Sequence, residues 1–224
     1  MFTEAFEEIL RRNCTPADVR AIEAGGEHRP LWNVIAASGF LELMASEDAG
    51  GAGLDLRGVL PIFMALGAHA VPLPVGQAIA LRALLPAEEP VPDGLPTFAP
   101  ALTRDAGGNL IAPRVPFGAL ADVVLGAMDG EFWLLDVHAA QRRPSGIHRD
   151  ATADLRWTNG CNAGRKLSGA APATGLVAWG AALHAALLAG ALGRSFGLAL
   201  QYGNDRSQFG RPIGKFQAIQ HQLA

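Results

Sequence analysis

The sequence contains few cysteines and few charged side chains. Among 224 residues there are two cysteines, and 17% of the residues are Asp, Glu, Lys or Arg. Cys14 and Cys161 cannot supply a disulfide framework, which favours a reducing, cytoplasmic compartment. The six histidines include no pair at i,i+3 or i,i+4, so no metal site is predicted. A formal net charge of −3 excludes a basic nucleic-acid-binding surface.

The N-terminus lacks the basic front and apolar run of a secretory signal. One apolar stretch, residues 174–193, has His184 as its sole ionisable side chain and is long enough to cross a bilayer. Alanine and glycine dominate this stretch, no basic cluster marks a cytoplasmic flank, and the pattern continues to Leu200. We therefore predict a long buried helix of a soluble protein, with His184 in the core and no membrane partner. Gly193 and Gly197 are spaced for close approach of another helix.

Residues 1–89 predict an N-terminal helical domain. Apolar residues recur at helical spacing, and Thr15-Pro16 is typical of an N-cap followed by proline at the first helical position. Gly39 occupies a C-cap position. The predicted helices span residues 17–24, 31–38, 56–68 and 74–85.

Residues 90–170 predict a small β domain, because prolines crowd the start and helical periodicity disappears. The predicted strands are residues 109–111, 122–125, 132–137 and 155–158, with turns at Asp129-Gly130 and Asn159-Gly160. A small antiparallel barrel or sandwich accounts for this pattern, and we assign a barrel. Residues 171–224 predict the long helix, a break at 205–212 and part of a second helix. The fold class is thus a multidomain α+β protein with an incomplete C-terminal helical bundle.

The most informative stretch follows the long helix. It places Arg206, Arg211 and Lys215 where the helix dipole attracts cations. The planar guanidinium of Arg206 suits a phosphate or pyrophosphate, and Phe209 beside Gly210 offers an aromatic face. From the residues alone, a helix–turn–helix corner with solvated arginines explains the same pattern.

This stretch resembles a known family signature. Residues 206–224 match the acyl-CoA dehydrogenase pattern Arg-x-Gln-Phe-Gly-x-Pro-Ile-x-x-Phe-Gln-x-Ile-Gln-x-x-Leu-Ala. Residues 31–53 and 115–127 are similar, more weakly, to the family's first helical domain and to the start of its middle β domain. The resemblance implies the family's order of helical domain, small β domain and four-helix bundle.

The resemblance also implies a chemistry and a set of contacts. Family members oxidise an acyl-CoA to its trans-2-enoyl product, with a glutamate as base and FAD as hydride acceptor. By position, Arg206 contacts the FAD pyrophosphate of a neighbouring subunit, Gln208 and Phe209 line the adenosine portion, and Gln217 completes the contact. This implies an acyl-CoA substrate and a homo- or hetero-oligomer, a dimer or tetramer. An electron-transfer flavoprotein is an expected partner.

Three departures from the family pattern leave the catalytic residue unassigned. The Thr-Glu-Pro…Gly-Ser-Asp loop that holds the flavin ring is missing from the corresponding residues 96–105. No Asp or Glu occurs between Asp154 and Asp205, or after Asp205. The family's commoner glutamate position lies beyond residue 224. Besides an active dehydrogenase, a non-catalytic partner subunit of a heteromeric dehydrogenase and a flavin monooxygenase of the same fold stay open.

Overall fold

The first part of the chain is helical. The structure is a computed structural model that describes residues 2–86, 89–147, 150–158, 164–167 and 175–223. The helices α1 to α5 are Phe2–Asn13, Pro16–Glu23, Arg29–Ala37, Leu56–Ala68 and Val75–Leu84. Short 3-10 turns at Phe40–Glu42 and Glu47–Ala49 join α3 to α4.

Local sequence explains where these helices begin. Thr15 accepts a hydrogen bond from the Asp18 backbone N–H while the Asp18 side chain accepts one from the Thr15 backbone, which is a complete capping box. The Asp55 side chain caps α4 in the same way through the Gly58 N–H. The predicted bounds of α4 are confirmed, and those of α2, α3 and α5 differ by one or two residues.

The middle of the chain forms strands. They are β1 Pro96–Ala99, β2 Thr103–Arg104, β3 Leu110–Val115, β4 Val123–Met128, β5 Glu131–Asp136, β6 Gln141–Pro144, β7 Ala153–Trp157 and β8 Gly164–Lys166. The four predicted strands correspond to β3, β4, β5 and β7. The prediction missed β1, β2, β6 and β8. The predicted turn at Asn159-Gly160 lies outside the described residues, whereas Asp129 and Gly130 join β4 to β5 with positive φ angles.

The predicted barrel is wrong for the described part of the chain. The strands form two four-stranded sheets, β1-β4-β5-β8 and β2-β3-β7-β6, each with two free edges, and β1 pairs with β4 in parallel. Trp157, Leu110, Leu155, Val124 and Leu135 form one buried cluster between the two sheets. The alternative interpretation from the sequence, a sandwich, describes this arrangement, because both sheets bury one face against the other.

The outer face of the first sheet packs against helices. Leu81 of α5, Phe98, Leu125, Phe132 and Leu176 share a second buried cluster. A third cluster holds α1 to α5 together and includes Leu183 and Ala186 of the long helix. This long helix therefore contacts both the helical region and the sheet.

The long helix α6 spans Gly175–Asp205, 31 residues. Among the described residues it is the one helix long and apolar enough to cross a membrane, a criterion that core helices of soluble proteins also meet. It crosses α4 so closely that a Cβ on Gly67 would overlap the Leu187 carbonyl, and a Cβ on Gly190 would overlap the Met64 carbonyl. The two glycines thus allow backbone-to-backbone contact between α4 and α6.

The glycines that we predicted for this role were the wrong ones. A Cβ on Gly193 or Gly197 would meet no atom within 4 Å in the described structure. Both residues lie on the exposed part of α6. The sequence pattern shows small residues along α6, but which of them lie at the crossing depends on where α4 packs.

One ion pair joins the helical region to the sheets. Asp122, 8% exposed, lies just before β4 and accepts two hydrogen bonds from Arg29 of α3, at 2.9 and 2.6 Å. Its carboxylate also accepts the Leu95 N–H at 2.8 Å and lies 3.3 Å from His138 Nε2. Burial alone raises the pKa of Asp122, but the Arg29 and Leu95 hydrogen bonds outweigh burial and hold this pKa below its usual range.

The helix crossing gives a first prediction. Gly67→Ala or Gly190→Ala should lower the free energy of unfolding by about 1–3 kcal/mol, because one backbone must move away from the other. The matched control Gly193→Ala should raise it by about 0.5–1 kcal/mol, because alanine favours an exposed helix. Urea unfolding followed by circular dichroism measures all three values. Equal effects at Gly190 and Gly193 would contradict the assigned crossing.

Asp122 gives a second prediction. Asp122→Ala leaves the buried Leu95 N–H without its acceptor and should cost about 2 kcal/mol at neutral pH. Because the folded-state pKa is lowered, this stabilisation is present above the unfolded value of about 3.9 and is lost as pH falls through the folded value. The wild type should therefore lose more stability in acid than Asp122→Ala does. Exposed Asp48→Ala is the control and should change stability by less than about 0.5 kcal/mol.

Candidate functional site

A tight hairpin follows α6 and carries two of the four predicted cofactor-binding residues, Gln208 and Phe209. Strand β9, Ser207–Gln208, pairs with β10, Arg211–Pro212, in antiparallel register. The two turn residues, Phe209 and Gly210, have φ angles of +53° and +79°, as a type I′ turn requires. A bulky residue in this left-handed conformation is strained, and such strain is concentrated at functional sites.

The hairpin turn leaves an aromatic ring exposed. Phe209 is 92% exposed, and its ring contacts Phe216 edge-on at 6.2 Å. The guanidinium of Arg211 lies 4.2 Å from the centre of the Phe216 ring. These contacts tie the hairpin to the residue just before α7, Gln217–Leu223. The structure thus brings Gln208, Phe209 and Gln217 to one corner.

Arg206 lies at the start of the same corner. Its N–H donates to the Tyr202 carbonyl, and its own carbonyl accepts from Ile213, so the backbone is fixed on both sides. Its exposed guanidinium lies 5.8 Å from the Tyr202 ring centre, and within residues 175–223 no carboxylate forms an ion pair with it. A cation held beside an exposed aromatic ring is available to a ligand that has both a phosphate and a flat ring.

The polar side chains of residues 96–105 bond to the chain itself. The Thr97 hydroxyl donates to the Pro116 carbonyl at 2.6 Å. The Asp105 carboxylate accepts from Asn109 and forms an ion pair with Arg156 at 2.8 Å. Hydrogen bonds from Asn109 lower the pKa of Asp105. In this stretch, strands β1 and β2 are held by hydrogen bonds and an ion pair within the chain.

A cavity of about 670 Å³ lies between α6, the connection from α4 to α5 and the loop at 117–120. Its lining is mainly apolar and includes Gly25, Ala70, Leu120, Leu188 and His184. The prediction that His184 is a core residue is wrong, because this side chain is exposed and lines the cavity. Helical periodicity did not reveal this, since apolar residues occur on all sides of α6.

Within residues 175–223 the structure places a single carboxylate, Asp205, at the C-terminal end of α6. His184, which lines the cavity, lies roughly 30 Å from Asp205 along the helix, at 1.5 Å per residue. The described helices α6 and α7 therefore bring no carboxylate to the cavity. The corner at residues 206–217 follows the C-terminal end of α6, whereas the cavity lies beside residues 184–191 of the same helix.

The comparisons with known proteins identify the family of this chain. Residues 168–224 match the family model for the acyl-CoA dehydrogenase C-terminal domain. The acyl-CoA dehydrogenase IpdE2 of Mycobacterium tuberculosis is 31% identical over 242 residues, which cover 100% of this chain and 69% of the relative. IpdE2 of Mycolicibacterium smegmatis is also 31% identical, over 240 residues that cover 100% of this chain and 70% of the relative. The chain therefore belongs to the acyl-CoA dehydrogenase family.

Solved structures share the fold. The Mycobacterium tuberculosis ChsE4-ChsE5 complex matches with a TM-score of 0.78 at 21% identity, covering 99% of this chain and 70% of that one. A variant of the Tcur3481-Tcur3483 steroid acyl-CoA dehydrogenase matches with a TM-score of 0.76 at 24% identity, again covering 99% and 70%. At these identities the likeness establishes the fold alone.

Proposed function

We propose that this chain is a subunit of an FAD-dependent acyl-CoA dehydrogenase and holds the cofactor at the corner formed by residues 206–217. The observation that carries the proposal is the exposed, strained Phe209 in a tight hairpin directly after Arg206, whose exposed guanidinium lies 5.8 Å from the Tyr202 ring centre. A phosphate and an adenine ring are the chemical groups that such a pair recognises. Family membership supports dehydrogenation as the reaction.

The donor set of the corner fits FAD. Arg206 offers a planar fork of N–H donors that suits a pyrophosphate, and Gln208 and Gln217 add side-chain amides that can donate and accept hydrogen bonds. Phe209 presents a ring face to the adenine. FAD, when bound, supplies the hydride-accepting ring for oxidation of the acyl chain. The role of this chain is to hold the adenosine half of FAD in position.

The α-proton of the substrate needs a base that α6 and α7 do not place at the cavity. We therefore assign the base to a carboxylate outside residues 175–223, in the same polypeptide or in a partner subunit. The distance of roughly 30 Å along α6 between the cofactor corner and the cavity favours a subunit interface. In such an interface the corner serves the cavity of a neighbouring chain.

A flavin-retention assay tests the cofactor corner. Arg206→Ala should lower FAD retained after desalting at least about 10-fold, because a charge-assisted pyrophosphate contact contributes about 1.5–3 kcal/mol. Absorbance near the flavin band measures retention, and circular dichroism checks the fold. The control is Arg194→Ala, an exposed arginine of the same helix outside the corner. Unchanged flavin content in Arg206→Ala would contradict the proposal.

A second candidate is a non-catalytic partner subunit of a heteromeric dehydrogenase. Two observations favour it: residues 96–105 lack the Thr-Glu-Pro…Gly-Ser-Asp motif expected from the resemblance, and the structurally similar ChsE4-ChsE5 is a complex. This candidate predicts that the chain alone retains little FAD and oxidises no acyl-CoA. Addition of the completing chain should then restore FAD retention and acyl-CoA oxidation, the latter measured with an artificial electron acceptor. Full activity of the isolated chain would exclude this candidate.

The flavin monooxygenase makes a different prediction. Oxygen uptake with reduced flavin but no acyl-CoA would favour it.

A further inference from the structure

The cavity beside α6 has a single imidazole in an otherwise mainly apolar wall. Its volume, about 670 Å³, lies in the range of sites that enclose a small organic ligand. Leu66, Leu120, Leu187 and Leu188 are among the apolar side chains that line it. A cavity of this volume can enclose a compact ring system.

The hydrogen bond of His184 fixes which ring nitrogen is free. Its Nδ1 lies 2.7 Å from the Gly180 carbonyl oxygen, one turn earlier on α6. Because a carbonyl oxygen only accepts, Nδ1 carries the proton in this contact. In the neutral ring, Nε2 is then a hydrogen-bond acceptor. The structure records no partner for Nε2 among the described residues.

Two carboxylates, those of Asp150 and Glu23, also line the cavity and are the competing acceptors. Asp150 is held by the backbone N–H groups of Thr152 at 2.9 Å and Ile147 at 3.4 Å. Burial raises the pKa of Asp150, but these hydrogen bonds outweigh burial and lower it. Glu23 is the last residue of α2 and is exposed. Among the three groups, His184 is the one that the long helix α6 contributes.

We propose that His184 is a specificity-determining residue whose Nε2 accepts a hydrogen bond from a hydroxyl group on a bulky, otherwise apolar ligand in this cavity. That the ligand is the acyl part of a thioester rests on the proposed function, whereas the hydroxyl recognition does not. A ligand that covers Nε2 without supplying a donor removes the hydration of this nitrogen without compensation, so a ligand that carries a matching hydroxyl is favoured.

Paired ligands test the proposal. The first pair is 3-cyclohexylpropanoyl-CoA and its 4-hydroxycyclohexyl derivative, and the second pair is the corresponding methyl esters without CoA. Titration calorimetry measures the thioesters, and ligand-observed NMR measures the esters, with the full chain. The wild type should bind the hydroxylated member of each pair about 3- to 10-fold more tightly, the range expected for one neutral hydrogen bond.

Two substitutions at the same position separate recognition from packing. His184→Phe keeps an aromatic ring of similar size but removes the acceptor, so the preference should fall to about 1-fold. His184→Gln supplies an amide oxygen near the Nε2 position and should keep part of the preference. If His184 acts through packing alone, His184→Phe should keep more of the preference than His184→Gln does. Glu23→Gln is the control and should leave the preference unchanged.

Several results would overturn the inference. These are equal affinity of the wild type for both members of the ester pair, binding of neither ester, a preference that survives in His184→Phe, and a preference abolished by Glu23→Gln. The ester pair needs neither FAD nor CoA, so its outcome is independent of the flavin-retention assay. Retained flavin with no ester preference overturns this inference alone, and lost flavin with a clear ester preference overturns the proposed function alone.

Discussion

The backbone contact between α4 and α6 is the constraint on which the rest of the structure depends. Gly67 and Gly190 let the two helices touch, and this contact fixes the rotation of α6 about its axis. With that rotation set, Leu183 and Ala186 enter the helical core while Leu176 joins the cluster against the first sheet. One close crossing therefore positions a 31-residue helix relative to both neighbouring layers.

The sequence predicted the parts of the fold that depend on local signals and missed those that depend on long-range contacts. The bounds of α4 were predicted because Asp55 caps its start and apolar residues recur at helical spacing. The strand β1 was missed because Pro96 begins it and all four of its residues are buried, so no alternation marks it. The barrel was wrong because strand pairing is a long-range property: β1 joins β4 across more than twenty intervening residues.

The same contrast between local and long-range signals applies to the candidate site. Arg206, Phe209 and Gln217 were predicted because their pattern lies within one short stretch, and the structure brings them to one corner. The place of His184 was not predictable from that kind of pattern. It depends on which side of an apolar helix α4 covers, and alanine and glycine around the whole of α6 give no such signal.

The arrangement of α6 constrains how a complete reaction site can form. The helix has a ligand-sized cavity near its middle and the side chains that we propose bind the cofactor just beyond its C-terminal end, roughly 30 Å apart. A rigid helix cannot shorten this distance, so a cofactor held at Arg206 has to span it to reach the cavity of the same chain. If both sites serve one reaction, a second chain has to bring its cavity to this corner. The exposed apolar side chains of α6 between them, Leu192 and Phe196, lie where such a chain would make contact.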